Sequence, residues 1–457
     1  MDARTRRLLE GPIVPTLLRL AAPNVVVMVM QAAIGLIETY FIARLGLDAL
    51  AGVALVFPVL MLFQMISAGA MGGGILSAIA RALGAGNKDA ANVLVWHAVA
   101  LAVGLGIATT AATLAFGPAL YAEMGGREGS LAAATLYSHL IFSGAVLIWL
   151  FNSLAAVIRG TGNMAVPAWV TAIGAIVLIP LSPVLIFGLG PFPRLGIAGG
   201  AVAVLLYYVV GSAVFVAYIW SGRGVLKPSR RPARLHWAPL REILRVGAVS
   251  SIVSVSTNVS IAVTTGLAGL LGPAAVAGYG TGARLEYLLV PLVFGLGAPV
   301  GAMVGTAIGA GQSERALRAA WTGALIAGII TETIGIAAAL FPHAWLTLFG
   351  ADATMVTVGT QYLRIVGPFY GFFGAGLALY FASQGAGRLG WPAAAAILRV
   401  VIAAGGGVLA IRIGLGVVGL FFAVGIALAV FGVINAAAIA LGAWFKRERV
   451  AAVPQPS

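Results

Sequence analysis

The chain has 457 residues, of which 61% are hydrophobic and only 9% charged, with a mean hydropathy of +1.05. A water-soluble protein carries about 25% charged residues, so this composition excludes a soluble domain and predicts an all-α polytopic membrane protein. The chain has no cysteine, which removes disulfides, thiolate metal sites and thiol nucleophiles, and its net charge of +14 is read through its placement, not as a nucleic-acid signature.

Twelve apolar runs are long enough to cross about 30 Å of hydrocarbon at 1.5 Å per residue. They are predicted at roughly 16–43, 50–80, 93–117, 131–158, 164–188, 196–220, 243–271, 276–308, 317–341, 356–384, 391–412 and 417–444. The runs are continuously apolar and lack the period-two alternation of a membrane barrel. Arg4, Arg6 and Arg7 precede the first run as in a signal peptide. That run extends far beyond a cleavable apolar core, however, and is read as a retained first span.

The first run carries Pro23 and, near its far end, Glu38. An acid at membrane depth costs about 2.5–3.5 kcal/mol even on lenient insertion scales, so its default reading is functional. No base lies within a turn of Glu38 on its own helix; Arg44, six residues on, is already at the interface. A carboxyl so placed holds a proton or a cation, and competition between the two is the minimum an antiporter needs. Gln31 and Asn152 are polar candidates to partner it.

The longest polar stretch, Ser221–Arg241, divides the chain. It reads as a basic linker on the lipid headgroups, giving a six-helix lobe at 1–220, a linker at 221–241 and a second lobe at 242–457. The lobes repeat each other. Gly84-Ala85-Gly86-Asn87 pairs with Gly309-Ala310-Gly311-Gln312, and Gly160-Thr161-Gly162-Asn163 with Gly385-Ala386-Gly387-Arg388, at an offset of 225. Six spans are an even number, so both lobes enter the membrane in the same sense, as parallel repeats about the membrane normal. The acid is not repeated: Leu45-Gly46 recurs as Leu271-Gly272 at an offset of 226, which puts Thr264 where Glu38 would recur.

Twenty Lys and Arg residues fall on the side shared by both termini, and four (Arg44, Arg127, Arg194, Arg412) on the other. The bias predicts cytoplasmic termini. The second lobe holds further charges at membrane depth: Glu286, Glu332, Arg284, Arg364 and Arg399. Glu286 and Glu332 are divided between structural pairing and the substrate or ion pathway. Glu286 is expected to meet Arg284 or Arg364, and Arg399 to snorkel or pack.

Glycines recur every four residues at Gly297, Gly301, Gly305 and Gly309, with Gly69, Gly73 and Ser77 on the second span, as stripes for close helix contact. Two Gly-x-Gly-x-x-Gly matches lie outside any βαβ unit, and the four histidines have no ligand spacing. No nucleophile–base pair or metal cluster argues for an enzyme.

Several ordered motifs resemble the multidrug and toxic compound extrusion (MATE) transporters over essentially the whole length. They include Glu38-Thr39-x-Phe41-Ile42-x-Arg44-Leu45-Gly46, Arg159-Gly160-Thr161-Gly162-Asn163, Ile186-Phe187-Gly188, Gly280-x-x-x-Arg284-Leu285-Glu286 and Gln384-Gly385-Ala386-Gly387-Arg388. The resemblance implies a V-shaped cavity between the lobes and export of cationic or amphipathic compounds in exchange for protons or sodium. It implies Glu38 as the ion-coupling acid and Pro23 as a helix bend. The same resemblance often carries a sodium site, but its other ligands fall here on Leu178, Ser182 and Val204. Proton coupling is therefore expected over sodium.

The expected protein is a bacterial inner-membrane antiporter acting as a monomer in the bilayer, with no cofactor, bound metal or nucleic-acid partner. The alternatives are a sodium-coupled version and a lipid-linked saccharide flippase of the same wider fold. The flippase should carry a more basic central cavity than three intramembrane arginines provide.

Overall fold

In the computed structural model, residues 2–350 and 352–445 are described, apart from the side chains at 28–29, 31–37, 39 and 287–288. Gln31, as a side chain, and Lys446, Arg447 and Arg449 of the charge bias lie outside the described residues. A short amphipathic helix, α1 (Ala3–Glu10), leads into α2 (Ile13–Ala43). The first lobe continues with α3 (Leu47–Gln64), a π-helical stretch (Met65–Met71), α4 (Gly72–Gly84), α5 (Lys88–Glu123), α6 (Glu128–Ser143), α7 (Ala145–Gly160), α8 (Ala165–Phe187) and α9 (Ile197–Trp220). The second lobe has α10 (Trp237–Leu270), α11 (Pro273–Gly309), α12 (Ser313–Leu340), the short α13 (Pro342–Leu346), α14 (Ala353–Val366), a 3₁₀ turn (Gly367–Phe369), α15 (Tyr370–Ala386), α16 (Gly390–Arg412) and α17 (Gly416–Ala440). Counting α3–α4, α6–α7 and α14–α15 as single interrupted spans gives twelve, six in each lobe.

The repeat extends to the backbone. Helix α6 meets α7 at a 49° bend around Gly144; the offset of 225 carries Gly144 to Phe369, inside the break between α14 and α15. The paired motif glycines adopt the same left-handed conformation, φ 73° and 72° at Gly86 and Gly311, 75° and 70° at Gly162 and Gly387. Each follows the end of a helix, where a side chain would oppose the turn that closes it. Such positions explain why these glycines recur when most of the sequence between them does not.

The linker is not merely laid on the headgroups. Val225 and Leu226 are buried against the first lobe. The indoles of Trp96 and Trp220 both donate to Ser229 O, at 3.0 and 3.3 Å, and Lys227 N donates to Asn92 Oδ1 at 2.9 Å. His97, fully buried on α5, accepts from His236 N at 3.0 Å. Helix α10 begins at Trp237, so the last five residues expected in the linker are helical.

The lobes meet along the face that carries α1 and the linker. Ser77 Oγ lies 2.6 and 2.8 Å from the carbonyls of Gln384 and Gly385, and Arg81 reaches Gly385 O at 2.8 Å and Glu242 Oε1 at 2.6 Å. Gln384 Nε2 donates to Ser250 Oγ at 2.8 Å and to Gly69 O at 3.2 Å. The glycine stripes form this seam: Gly84 abuts Thr306 O, Gly309 abuts Arg81 O, and Gly305 faces Ala80. Nearer mid-membrane, Asn24 Nδ2 donates to Gly295 O at 3.3 Å, joining α2 to α11. The far end of α2 then leaves the second lobe to pack on α8 and α9. The contacts between the lobes thus gather toward the α1 face.

A side chain at Gly84 would collide with the Thr306 carbonyl, and overpacking of this kind costs about 1–3 kcal/mol. In this cysteine-free chain, a reporter cysteine at Ala80 should therefore react faster with an impermeant maleimide from the α1 face in Gly84→Leu. Gly104→Leu, whose side chain would meet open space, should leave the labelling rate unchanged.

Candidate functional site

Glu38 sits six residues before Arg44, which caps α2 after Ala43, and its carboxyl faces α6 and α9 of the first lobe. Tyr137 of α6 donates its phenol to Glu38 Oε1 at 3.1 Å. On the other side Gly200 of α9 has no side chain, and a Cβ there would lie 3.2 Å from Glu38 Oε1. The small residue lets the carboxyl reach the α9 backbone. Tyr137 and Ile42 are buried, and Ile186 closes the floor.

The neighbouring wall is apolar. Leu178 and Leu185 of α8 pack with Ala203 of α9, and Val202, Val204 and Tyr207 lie against them. Ser182 is buried with its hydroxyl unpartnered among the described residues. No group of three or more acidic, histidine or cysteine side chains lies together among the described residues. Hard cations such as sodium take several oxygen ligands, and this wall offers few.

Asn152 of α7 is buried, and its Nδ2 donates to Ser67 Oγ at 2.8 Å and Gln64 Oε1 at 3.2 Å. These partners flank the start of the π-helical stretch, so Asn152 ties down an interruption of the second span. π-Helical turns of this kind are frequent at functional sites. Pro23 lies inside α2, one residue before Asn24 and its contact with α11. A proline there removes one intrahelical hydrogen bond, which supplies a bending point beside the inter-lobe contact.

The second lobe arranges its charges differently from expectation. Arg284 lies over the Phe349 ring at 4.9 Å, and Arg364 is exposed. The base that shares a cavity with Glu286 is Arg399, which neither snorkels nor reaches water: it is 4% exposed. Its guanidinium is 5.6 and 5.3 Å from the ring centres of Phe373 and Phe431, and Nη2 donates to Thr257 Oγ1 at 2.8 Å. Glu286 accepts from the Tyr362 phenol. Thr264, the repeat counterpart of Glu38, lines the same cavity of about 30 Å³, room for about one water. Sequence depth alone misplaced Arg399 because its partners come from α10, α11, α15 and α17.

Glu332 has a structural partner. Its Oε2 accepts from Gly371 N at 2.6 Å, at the first turn of α15. The break Gly367-Pro368-Phe369 frees backbone donors, and an acid at the new helix start satisfies one of them and opposes the helix dipole.

Two variants separate structural from transport roles here. Glu332→Ala should lower stability by about 1–3 kcal/mol through the orphaned Gly371 amide, while Glu332→Gln, which can still accept, should retain most of it in thermal unfolding. For Glu286 and Arg399, the Glu286→Gln/Arg399→Met double variant should be destabilised by less than the sum of the two single variants, with a coupling of about 0.5–3 kcal/mol in thermal unfolding.

The family model described as MatE matches residues 23–184 and 250–409, one segment in each lobe. The chain is 29% identical over 381 residues to a FAD transporter of Shewanella oneidensis, covering 82% of each chain. It is 28% identical to a probable multidrug resistance protein, NorM, of Thermotoga maritima, over 81% of this chain and 80% of that one. Among solved structures, one titled MATE in the bent conformation superposes with a TM-score of 0.89 at 25% identity, over 98% of this chain and all of that one. Another, titled as an outward-facing conformation of a multidrug resistance MATE family transporter of the MOP superfamily, gives 0.87 at 25% identity over the same shares.

Proposed function

Because this chain belongs to the MatE family of membrane transporters, we propose that it exports cationic or amphipathic small molecules in exchange for protons, by alternating access between its two lobes. The observation that carries proton coupling is the setting of Glu38. Its carboxyl has a phenol on one side, a glycine backbone on the other and an apolar wall nearby. One proton can be held by a carboxyl and a phenol; a sodium ion needs an oxygen cage that Leu178 and Val204 do not supply.

The same site serves a cation. A deprotonated Glu38 attracts a positive group entering the cleft; a proton arriving from the face opposite α1 cancels that charge and releases it. Only the difference in affinity between the two states can drive the change of conformation. Pro23 lies in the same helix, 15 residues before Glu38, beside the Asn24–Gly295 contact. Loss of charge at Glu38 is thereby read out as a change in how α2 packs on α11.

With the Lys and Arg bias toward the α1 face, that face is cytoplasmic and the closed seam is the inner gate. The opposite side then faces outward. The membrane is the bacterial inner membrane. The name of the Shewanella relative suggests a second cargo class, an anionic dinucleotide, and this enters the test as a competitor.

The experiment uses proteoliposomes of the full chain, loaded with a fluorescent organic cation and energised by a pH or a sodium gradient. Efflux should follow the pH gradient and fall to background in Glu38→Gln, with FAD failing to compete. Sodium-driven efflux that persists in Glu38→Gln would sink the proton assignment; FAD uptake or competition would instead move the cargo class and leave the coupling intact.

A further inference from the structure

Two adjoining cavities of about 710 and 610 Å³ lie on the α1 face, and both are lined by Arg245, Gly387, Arg388 and Trp444. They form one groove that begins at the inter-lobe seam and ends beside α16. Four guanidinium groups border it (Arg81, Arg241, Arg245 and Arg388) against one carboxylate, Glu242. Glu242 is already engaged by Arg81, at 2.6 Å. Among the described residues the side chains of Arg241 and Arg388 make no hydrogen bond, and Arg245 makes only a long one, 3.4 Å to Gly387 O. A concave surface with this surplus of positive charge attracts an anion, and guanidinium forks match the oxygens of a phosphate.

The ends of the groove differ in chemistry. At the seam it is lined by the arginines. Away from the seam it passes Trp391, which is 57% exposed, at the first turn of α16. Beyond Trp391 the same helix exposes Ile397 and Val401 at membrane depth. Trp237 is also exposed at this level, as tryptophans are where headgroups meet hydrocarbon. A ligand with a phosphate at one end and acyl chains at the other fits this order of surfaces; a free phosphate would leave the apolar exit unused.

We infer that this groove binds the headgroup of an anionic phospholipid, with its chains running along α16. The occupant has a mechanical consequence. Arg81 of the first lobe is already paired across the seam with Glu242 of the second, and Arg241, Arg245 and Arg388 leave a surplus of positive charge beside that pair. A phosphate among them neutralises the surplus and favours the closed inner gate.

The full-length protein in nanodiscs tests this. By native mass spectrometry it should retain phosphatidylglycerol in preference to phosphatidylcholine. Arg241→Gln/Arg245→Gln/Arg388→Gln should lose that preference by roughly fivefold per arginine removed. Adding phosphatidylglycerol should slow maleimide labelling of a cysteine at Ala80 in the otherwise unaltered chain and leave the triple variant unaffected. Equal retention of the two lipids, or unchanged preference in the triple variant, overturns the inference. Displacement of the lipid by an equal concentration of inorganic pyrophosphate also overturns it, since the ligand is then free phosphate. Should the triple variant fail to fold, Trp391→Ala alone should weaken phosphatidylglycerol retention, and unaltered retention in that variant counts against the lipid.

Discussion

In hydrocarbon a backbone amide without a partner is costly enough that a spanning segment can be interrupted only where another group takes over its hydrogen bonds. This protein interrupts three of its twelve spans, and each interruption is occupied. At the π-helical stretch of the second span the backbone keeps its own bonds, with Gly72 N donating to Ser67 O, and Asn152 braces the side chains of Gln64 and Ser67. Glu332 accepts from the Gly371 amide after the Gly367–Phe369 turn. The bend at Gly144 keeps the Gly144 carbonyl within the backbone network of α7. The polar side chains that looked most out of place in the apolar sequence therefore have two kinds of use. Some hold the breaks in the helices, and one, Glu38, accepts a hydrogen bond from the Tyr137 phenol.

The second dependence is on close approach. Neighbouring lipid tails are as apolar as the helices, so association between lobes must come from packing and hydrogen bonds. The glycine stripes on α4 and α11 bring backbone carbonyls of one lobe against the other, and Ser77, Arg81 and Gln384 bond across that narrow gap. A seam built from small residues and a few polar bonds can separate without exposing large apolar surfaces. That is what a gate between rocking lobes requires.

Much of this organisation was legible in the sequence because it is periodic. Twelve apolar runs, a 225-residue repeat and paired glycine motifs specify the two lobes, and the motif glycines mark backbone turns that only their conformation permits. The interface stripes were legible for the same reason. What could not be read were contacts between helices distant in the chain. Arg399 on α16 stands beside Glu286 on α11, and Tyr362 on α14 supplies the hydrogen bond; no local spacing encodes such a meeting. The anchoring of the linker by His97 and His236 was hidden too, because a lone buried histidine carries no signature until its partner backbone is placed. The apolar wall beside Glu38 was anticipated from Leu178 and Val204, since those positions could be compared with a known motif.

The unequal charges of the two lobes bear on electrical work. In the second lobe Glu286 and Arg399, when both ionised, sum to zero, so displacement of that lobe carries no net charge from this cavity through the membrane field. In the first lobe, under the proposed exchange at Glu38, the charge beside Tyr137 changes with its occupant, and moving one elementary charge through 100 mV is worth about 2.3 kcal/mol. On that reading the membrane voltage acts unequally on two matching places in the repeat: it pulls on the Glu38 site and is nearly blind to the Glu286–Arg399 pair.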